Sequence, residues 1–398
     1  MLLEKRSKMK RLCALLIGVI LLTSIRIPMK VYAEPGNNPL EITSTAAVLM
    51  EGSTGQVIYE KNKDEKLKPA SVTKVMTLLL IFEAIDSGKI KLTDPVTISE
   101  HAASMGGSQV YLEPFETQDV NTLIKCISIA SANDASVAMA EMIGGSEESF
   151  VAMMNARAKE LGMLNTNFVN ACGLDADNHY TTAYDIALMS RELISKHPQI
   201  SEYATVWMDT FVHTTRKGQT EFGLTNTNKL IKQYNGITGL KTGSTGLAKY
   251  CLSATAKRNG MDMIAVILAA PSTKVRFSEA SKLLDYGFAN CSIFKDKNED
   301  LVVNPIPVKQ GIADSVGYRV NDEFSYVCLK GTNPADIKKE ITLVENITAP
   351  ITENFKVGEI TYKLNGKKIG SIDIVSAENI DKAKFKDYFN LTFKKFLL

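Results

Sequence analysis

Apolar positions change period along this chain, and the changes divide it. From about residue 45, two apolar runs flank Gly52-Ser53-Thr54-Gly55 in AAVLMEGSTGQVIYEKN, which predicts a β-hairpin. After Pro69 the period lengthens. Val72, Val75, Met76 and Leu79 recur at helical spacing and predict a helix ending near Gly88. Residues 120–143 read as two helices, VNTLIKCISIA and ASVAMAEMIGG, broken at SAND. Residues 146–163 and 182–197 read as two more, the first opened by Ser146 and an acidic, polar first turn. Strand patterns return at 235–245, at YCLSATAKRNG and at MDMIAVILAA, with Asn259-Gly260 turning between the last two. KVRFSEASKLLDYGFANC predicts a closing helix that ends at Gly287. Strands, then helices, then strands again within 36–290 predict an α+β domain whose sheet is assembled from both ends of the segment.

From about residue 298 the runs become short and β-rich: LVVNPIPV, VGYRV, EFSYVCLK, KKEITLV and EITYKLNGKKIGSIDIV, the last carrying a hairpin turn at Asn365-Gly366. They predict a second, all-β domain over 298–376. Residues 377–398 predict a C-terminal amphipathic helix, with Phe385, Phe389, Phe393 and Phe396 along one face and most lysines elsewhere. Such a stripe either packs on the β domain or lies in the outer leaflet of a membrane, lysines near the lipid phosphates. Its terminal position and its lysines favour the membrane. At the other end, Lys5, Arg6, Lys8, Lys10 and Arg11 precede the apolar run LCALLIGVILLTS, too short to span a bilayer comfortably, and VYA stands before Glu34. Residues 1–33 are therefore expected to be a signal peptide that is removed on export, rather than a retained anchor.

Charge agrees with that division. The chain of 398 residues carries +2, but residues 1–33 hold seven basic and one acidic residue, so the remainder stands at −4. That leaves no basic field of the kind that nucleic-acid binders use. Six cysteines are scattered without a CxxC, and five of them, an odd number, follow the signal, which reads as buried apolar positions rather than a disulfide framework. Four histidines show no zinc spacing, and neither a metal nor a cofactor is expected.

The chemistry-bearing residues form an ordered trio. Ser71 and Lys74 stand three apart at a predicted helix start, on one face and close to the positive end of the helix dipole. Spacing alone is weak evidence, since Ser7 and Lys10 repeat it within the signal. Ser131-Ala132-Asn133 falls at the break between two helices, where such residues also occur as ordinary turns. Lys241-Thr242-Gly243 lies within a predicted strand; a glycine there marks close approach of another backbone, and the lysine and threonine offer a cation and a hydroxyl to a carboxylate.

In that order, S-x-x-K, S-x-N and K-T-G resemble the penicillin-recognising serine enzymes. PASVTKVMT, GSQVYLEP, SANDASVAMAE, NTNFVNACGLD, HYTTAYDIALMSREL, TNTNKLI, GITGLKTGST and RFSEASKLLDYGF are similar to the low-molecular-mass D-alanyl-D-alanine carboxypeptidases, as are the trailing β domain and tail. The resemblance implies a β-lactamase/transpeptidase-like domain acting on peptidoglycan stem peptides that end in D-alanyl-D-alanine, with β-lactam antibiotics as inhibitors. It implies Ser71 as nucleophile and Lys74 as its base, deprotonated by burial and by the nearby Lys241 cation. Ser131 and Lys241 would pass a proton to the leaving amine, and Asn133 would hold the substrate amide. The N–H groups of Ser71 and Ser244 would form the oxyanion hole, beside Gly243 on the substrate-binding strand. Thr242 and Arg276 would hold the terminal carboxylate, although Arg276 also reads as a solvated helix arginine. Ser244 departs from the larger residue often found after K-T-G. A class A β-lactamase would add E-x-x-L-N, which is absent from 135–240; ELGMLN misses it by one residue. A penicillin sensor and an endopeptidase for D-alanyl cross-links stay open as alternatives, as does the identity of the third stem-peptide residue.

Overall fold

The computed structural model describes residues 40–299, 301 and 304–389, so the expected signal segment lies outside the described residues, as do Phe393 and Phe396 of the tail. Two strands, β1 (Ala46–Glu51) and β2 (Val57–Lys61), form the first hairpin. Much later in the chain come β3 (Ile237–Thr245), β4 (Lys249–Arg258) and β5 (Met261–Ala270). They join one antiparallel sheet in the order β2-β1-β5-β4-β3, with Val48 of β1 opposite Val266 of β5. The expected α+β sheet built from both ends of the segment is the one observed.

All six residues of β1 are buried because both faces of the sheet are covered. Ala46, Val48 and Met50, with Ile264, Val266 and Leu268, belong to the core shared with the helices between the two halves of the sheet. Those helices are α1 (Lys74–Asp86), α2 (Val120–Ile129), α3 (Asn133–Gly144), α4 (Glu147–Glu160) and α5 (Ala183–Lys196). Helix α1 is apolar nearly all round, as a helix enclosed by its neighbours must be. On the other face, Leu49 and Met263 meet α6 (Thr273–Asn290) at Gly287. That contact corrects the expected helix end. Gly287 serves as a small residue against the sheet rather than as a cap, and the helix runs on to Asn290.

A polar hairpin was not among the expected elements. Met208–Thr215 and Gly218–Thr225 form a hairpin paired only with itself, and its mostly exposed, polar alternation leaves little apolar signal in the sequence. The β-rich region opens directly after α6, with Cys291–Asp296 pairing with Phe324–Leu329 ahead of residue 298. Its largest sheet orders Tyr318–Val320, Lys367–Ser376, Lys356–Leu364 and Ile337–Leu343, and Tyr362 stacks on Phe324 at 3.8 Å in its core.

The expected helix over 377–398 needs correction at its start. Residues 377–384 are not helical: Ile380 bridges to Ile351 and Lys382 to Gly311, and Ile380 and Ala383 are buried, so this stretch completes the β region. Helix begins only at residue 385, with Phe385 and Phe389 exposed.

The two ends of the α+β segment are tied by one carboxylate. Glu279 of α6 is buried and accepts from the amides and hydroxyls of both Thr43 and Ser44, at 2.5–3.2 Å. Glu279→Gln removes the charge and turns one acceptor into a donor facing donors. It should lower the unfolding free energy by about 2 kcal/mol in urea titration; an unchanged midpoint would contradict this tie.

Candidate active site

Ser71 lies in a single 3₁₀ turn, Ala70–Thr73, from which α1 continues at Lys74. Lys74 has no exposed surface, and its Nζ reaches three oxygens: Ser71 Oγ at 3.1 Å, Asn133 Oδ1 at 2.6 Å and the Cys172 carbonyl at 2.6 Å. Burial lowers its pKa from 10.5 to about 8, against the opposing pull of Cys172 and the Asp134 carboxylate. As a neutral amine it donates to Asn133 and Cys172 and keeps its lone pair for the Ser71 hydroxyl proton.

A second lysine faces it. Lys241 of β3 is also fully buried and donates to Ser131 Oγ at 2.9 Å and to the Thr242 carbonyl at 3.1 Å. Burial pushes its pKa well down, and the charges of Lys74 and Arg276 push it further. The sequence reading expects this repulsion at Lys74, and it acts between the two lysines. Ser131 sits in the break between α2 and α3 with φ 63°, left-handed backbone that aims its hydroxyl at Lys241. Asn133, the first residue of α3, is engaged at both ends of its amide, since Nδ2 donates to the Gly106 carbonyl at 2.6 Å.

Gly243 brings the walls together. A Cβ there would stand 2.7 Å from the Pro69 carbonyl oxygen and 3.0 Å from the Ser71 nitrogen, so strand and Ser71 turn meet backbone to backbone. This is the close approach expected of a glycine within the strand. Thr242 shares a hydroxyl contact of 2.5 Å with Thr227, and Ser244 is exposed at the strand's end. Arg276 is 5% exposed, which overturns the solvated reading. Its Nη1 donates to the carbonyls of Gly243 and Cys251 at 3.1 and 3.2 Å, and its Nε is buried without a hydrogen-bond partner among the described residues. Burial lowers its pKa to about 10. Ser71, Lys74, Ser131, Asn133, Lys241, Thr242, Gly243 and Arg276 thus converge on one cleft.

The sequence reading assigns no role to the loop over 165–182, which clamps the Ser71 turn. Cys172 supplies the carbonyl for Lys74, Ala171 one for Thr77, and Ala176 one for Lys68. Gly173 has φ +87°, and a Cβ on it would overlap the Ala70 carbonyl. Asn170 Oδ1 gathers the amides of Cys172, Gly173 and Leu174. His179 accepts from the Val169 amide at Nδ1, so Nε2 carries the proton and donates to Thr73 at 2.9 Å. The available signal was the Asn-x-x-Gly of NACG, a side-chain-closed turn.

Residues 32–272 match the family model described as D-alanyl-D-alanine carboxypeptidase, and residues 294–382 match that of the penicillin-binding protein 5 C-terminal domain. The chain belongs to the D-alanyl-D-alanine carboxypeptidase family. It is a serine-type peptidase of that family, and its likeness to relatives is of full length. It is 44% identical to the D-alanyl-D-alanine carboxypeptidase DacF of Bacillus subtilis, over 96% of this chain and 98% of that one. With DacC of Escherichia coli it shares 35% identity, over 90% of this chain and 89% of the relative. Among solved structures, penicillin-binding protein 5 from Haemophilus influenzae superposes with a TM-score of 0.75 at 32% identity, over 86% of this chain and 98% of that one.

The carboxypeptidase cleft depends on the contact at Gly243, which gives a direct test. Gly243→Ala must move strand or turn to admit the methyl group, and misplacement on the ångström scale costs about 100-fold in rate. Acylation by a fluorescent penicillin should fall by about that factor while the far-ultraviolet dichroism stays native; full-rate acylation would show that the walls are not fixed by this contact.

Proposed function

We propose that the Ser71 hydroxyl attacks the carbonyl between the two terminal D-alanines of a stem peptide. Lys74 Nζ takes the hydroxyl proton as the Oγ–C bond forms. The C–N bond then breaks, and the leaving amine receives a proton relayed through the Ser131 hydroxyl, which Lys241 holds. Free D-alanine departs, water resolves the acyl-enzyme at Ser71, and a β-lactam enters the same first step by opening its amide ring. The N–H groups of Ser71 and Ser244 are assigned to the oxyanion, and Asn133 to the amide of the acyl donor. Thr242 and Arg276 are assigned to the terminal carboxylate. A buried arginine with carbonyl partners and no carboxylate among the described residues supports that last role.

The observation that carries the reading is the contact of a fully buried lysine with the Ser71 hydroxyl at 3.1 Å, no carboxylate among the described residues being hydrogen-bonded to that lysine. Export is assigned to residues 1–33, which would bring the cleft to peptidoglycan. Attachment to the outer face of the cytoplasmic membrane is assigned to the tail. Among the described residues no helix is long and apolar enough to cross a membrane.

Incubation with Nα,Nε-diacetyl-lysyl-D-alanyl-D-alanine should release D-alanine, and Ser71→Ala should abolish release. Below pH 8 the rate should climb about tenfold per pH unit and level off above it, since Lys74 must lose its proton near pH 8 to act as base. Release only from a cross-linked dimer would replace the carboxypeptidase by an endopeptidase. For the tail, truncation after Lys384 spares the buried Ile380 and Ala383. It should leave turnover intact and abolish co-sedimentation with anionic vesicles; retained co-sedimentation would refute the anchor.

A further inference from the structure

Two aromatic rings meet on segments fastened to opposite walls of the cleft. Tyr111 is 63% exposed, and its ring meets Phe222 edge-on, with centroids 6.0 Å apart. Its φ of 61° is left-handed, a conformation that a bulky residue adopts only when its surroundings enforce it. They do so through Asp134. The amides on both sides, Val110 and Leu112, each donate to Asp134 Oδ2 at 3.1 Å, and both of those side chains are buried. The neighbours are thus pinned inward and Tyr111 is turned out.

Each ring belongs to a different wall. Asp134 follows Asn133, whose amide nitrogen donates to the Ser108 carbonyl at 2.7 Å and whose side chain donates to Gly106, so the Tyr111 loop is fastened to the Ser131/Asn133 wall. Phe222 lies on the strand Gly218–Thr225, which leads to Thr227 and its hydroxyl contact with Thr242 on the opposite wall. A largely exposed ring buries too little surface to account for a strained backbone by stability alone.

We propose that Tyr111, backed by Phe222, determines specificity by packing on the aliphatic side chain of the residue that precedes D-alanyl-D-alanine in the acyl donor. The assignment rests on the carboxypeptidase reading above, in which Asn133 holds the donor's amide and the Thr242/Arg276 end takes the carboxylate. The ring fastened to Asn133 therefore flanks the donor, not the leaving group. Its face offers apolar area and no charge, which suits methylene groups rather than an ionic end.

The experiment compares kcat/KM for D-alanine release from Nα,Nε-diacetyl-lysyl-D-alanyl-D-alanine and from Nα-acetyl-alanyl-D-alanyl-D-alanine. The protein should favour the lysyl peptide by about tenfold or more, the discrimination that a few methylenes give in an apolar subsite. Tyr111→Ala should bring the ratio towards one, and Tyr111→Phe, which keeps the ring, should preserve it. The ratio cancels any loss of folded protein, since that lowers both rates equally. Equal turnover of both peptides by the unaltered protein, or an unchanged ratio in Tyr111→Ala, overturns this inference alone. Absence of D-alanine release from either peptide overturns the carboxypeptidase reading and this inference with it.

Discussion

Two lysines share one buried cleft, and neither is hydrogen-bonded to a carboxylate among the described residues. Everything else at the site depends on that constraint. A buried ammonium group paired with a carboxylate keeps its proton; one that faces only carbonyls, an amide and hydroxyls is biased toward the neutral amine. For Lys74, the lowering from 10.5 to about 8 corresponds to roughly 3 kcal/mol. The sign for folding follows directly. Below pH 8 the native chain holds a proton at an unfavourable place, so the site costs stability there, and the cost falls away as pH rises from 8 toward 10.5.

The fold sustains that cost by holding the lysines from different parts of the chain. Lys74 opens α1, enclosed by its neighbours, and Lys241 lies on the edge strand of a sheet assembled from both ends of the segment. Gly243 and Gly173 let the strand and the loop over 165–182 approach the Ser71 turn from two directions. Side chains of any size at either position would separate backbones that meet directly. Asn170 and Cys172 then complete the third side through a side-chain amide and a main-chain carbonyl, whose charge does not change with pH in the way a carboxylate's would. His179 joins them as an imidazole that burial keeps neutral down to about pH 4.

The hydrophobic period carried the sheet and the helices that frame the site, because buried β1, β5 and α1 leave long apolar runs. The trio of motifs was legible because each carries rare chemistry in a definite setting, and the glycine of the third was correctly tied to a close backbone approach. Illegible parts share a physical cause. The hairpin bearing Phe222 is exposed and polar, so it has no burial pattern to read. The clamp over 165–182 reaches Lys68, Lys74 and Thr77 through main-chain carbonyls, which any residue supplies. Gly287 gave the wrong helix end because the sequence does not tell a packing glycine from a capping one. The tail's first residues were read as helix because their apolar positions, Ile380 and Ala383, answer to the β region and not to a helical face.

The most direct measurement is the titration of Lys74 itself. Carbon-13 NMR at the lysine ε-carbons, with the Lys74 signal assigned by its loss in Lys74→Arg, reports the protonation of each amine. The account predicts a midpoint near pH 8 for Lys74 in the resting protein. A midpoint above about 10, in the range of a solvated lysine, would show an ammonium group poised beside Ser71 and would contradict its role as the base.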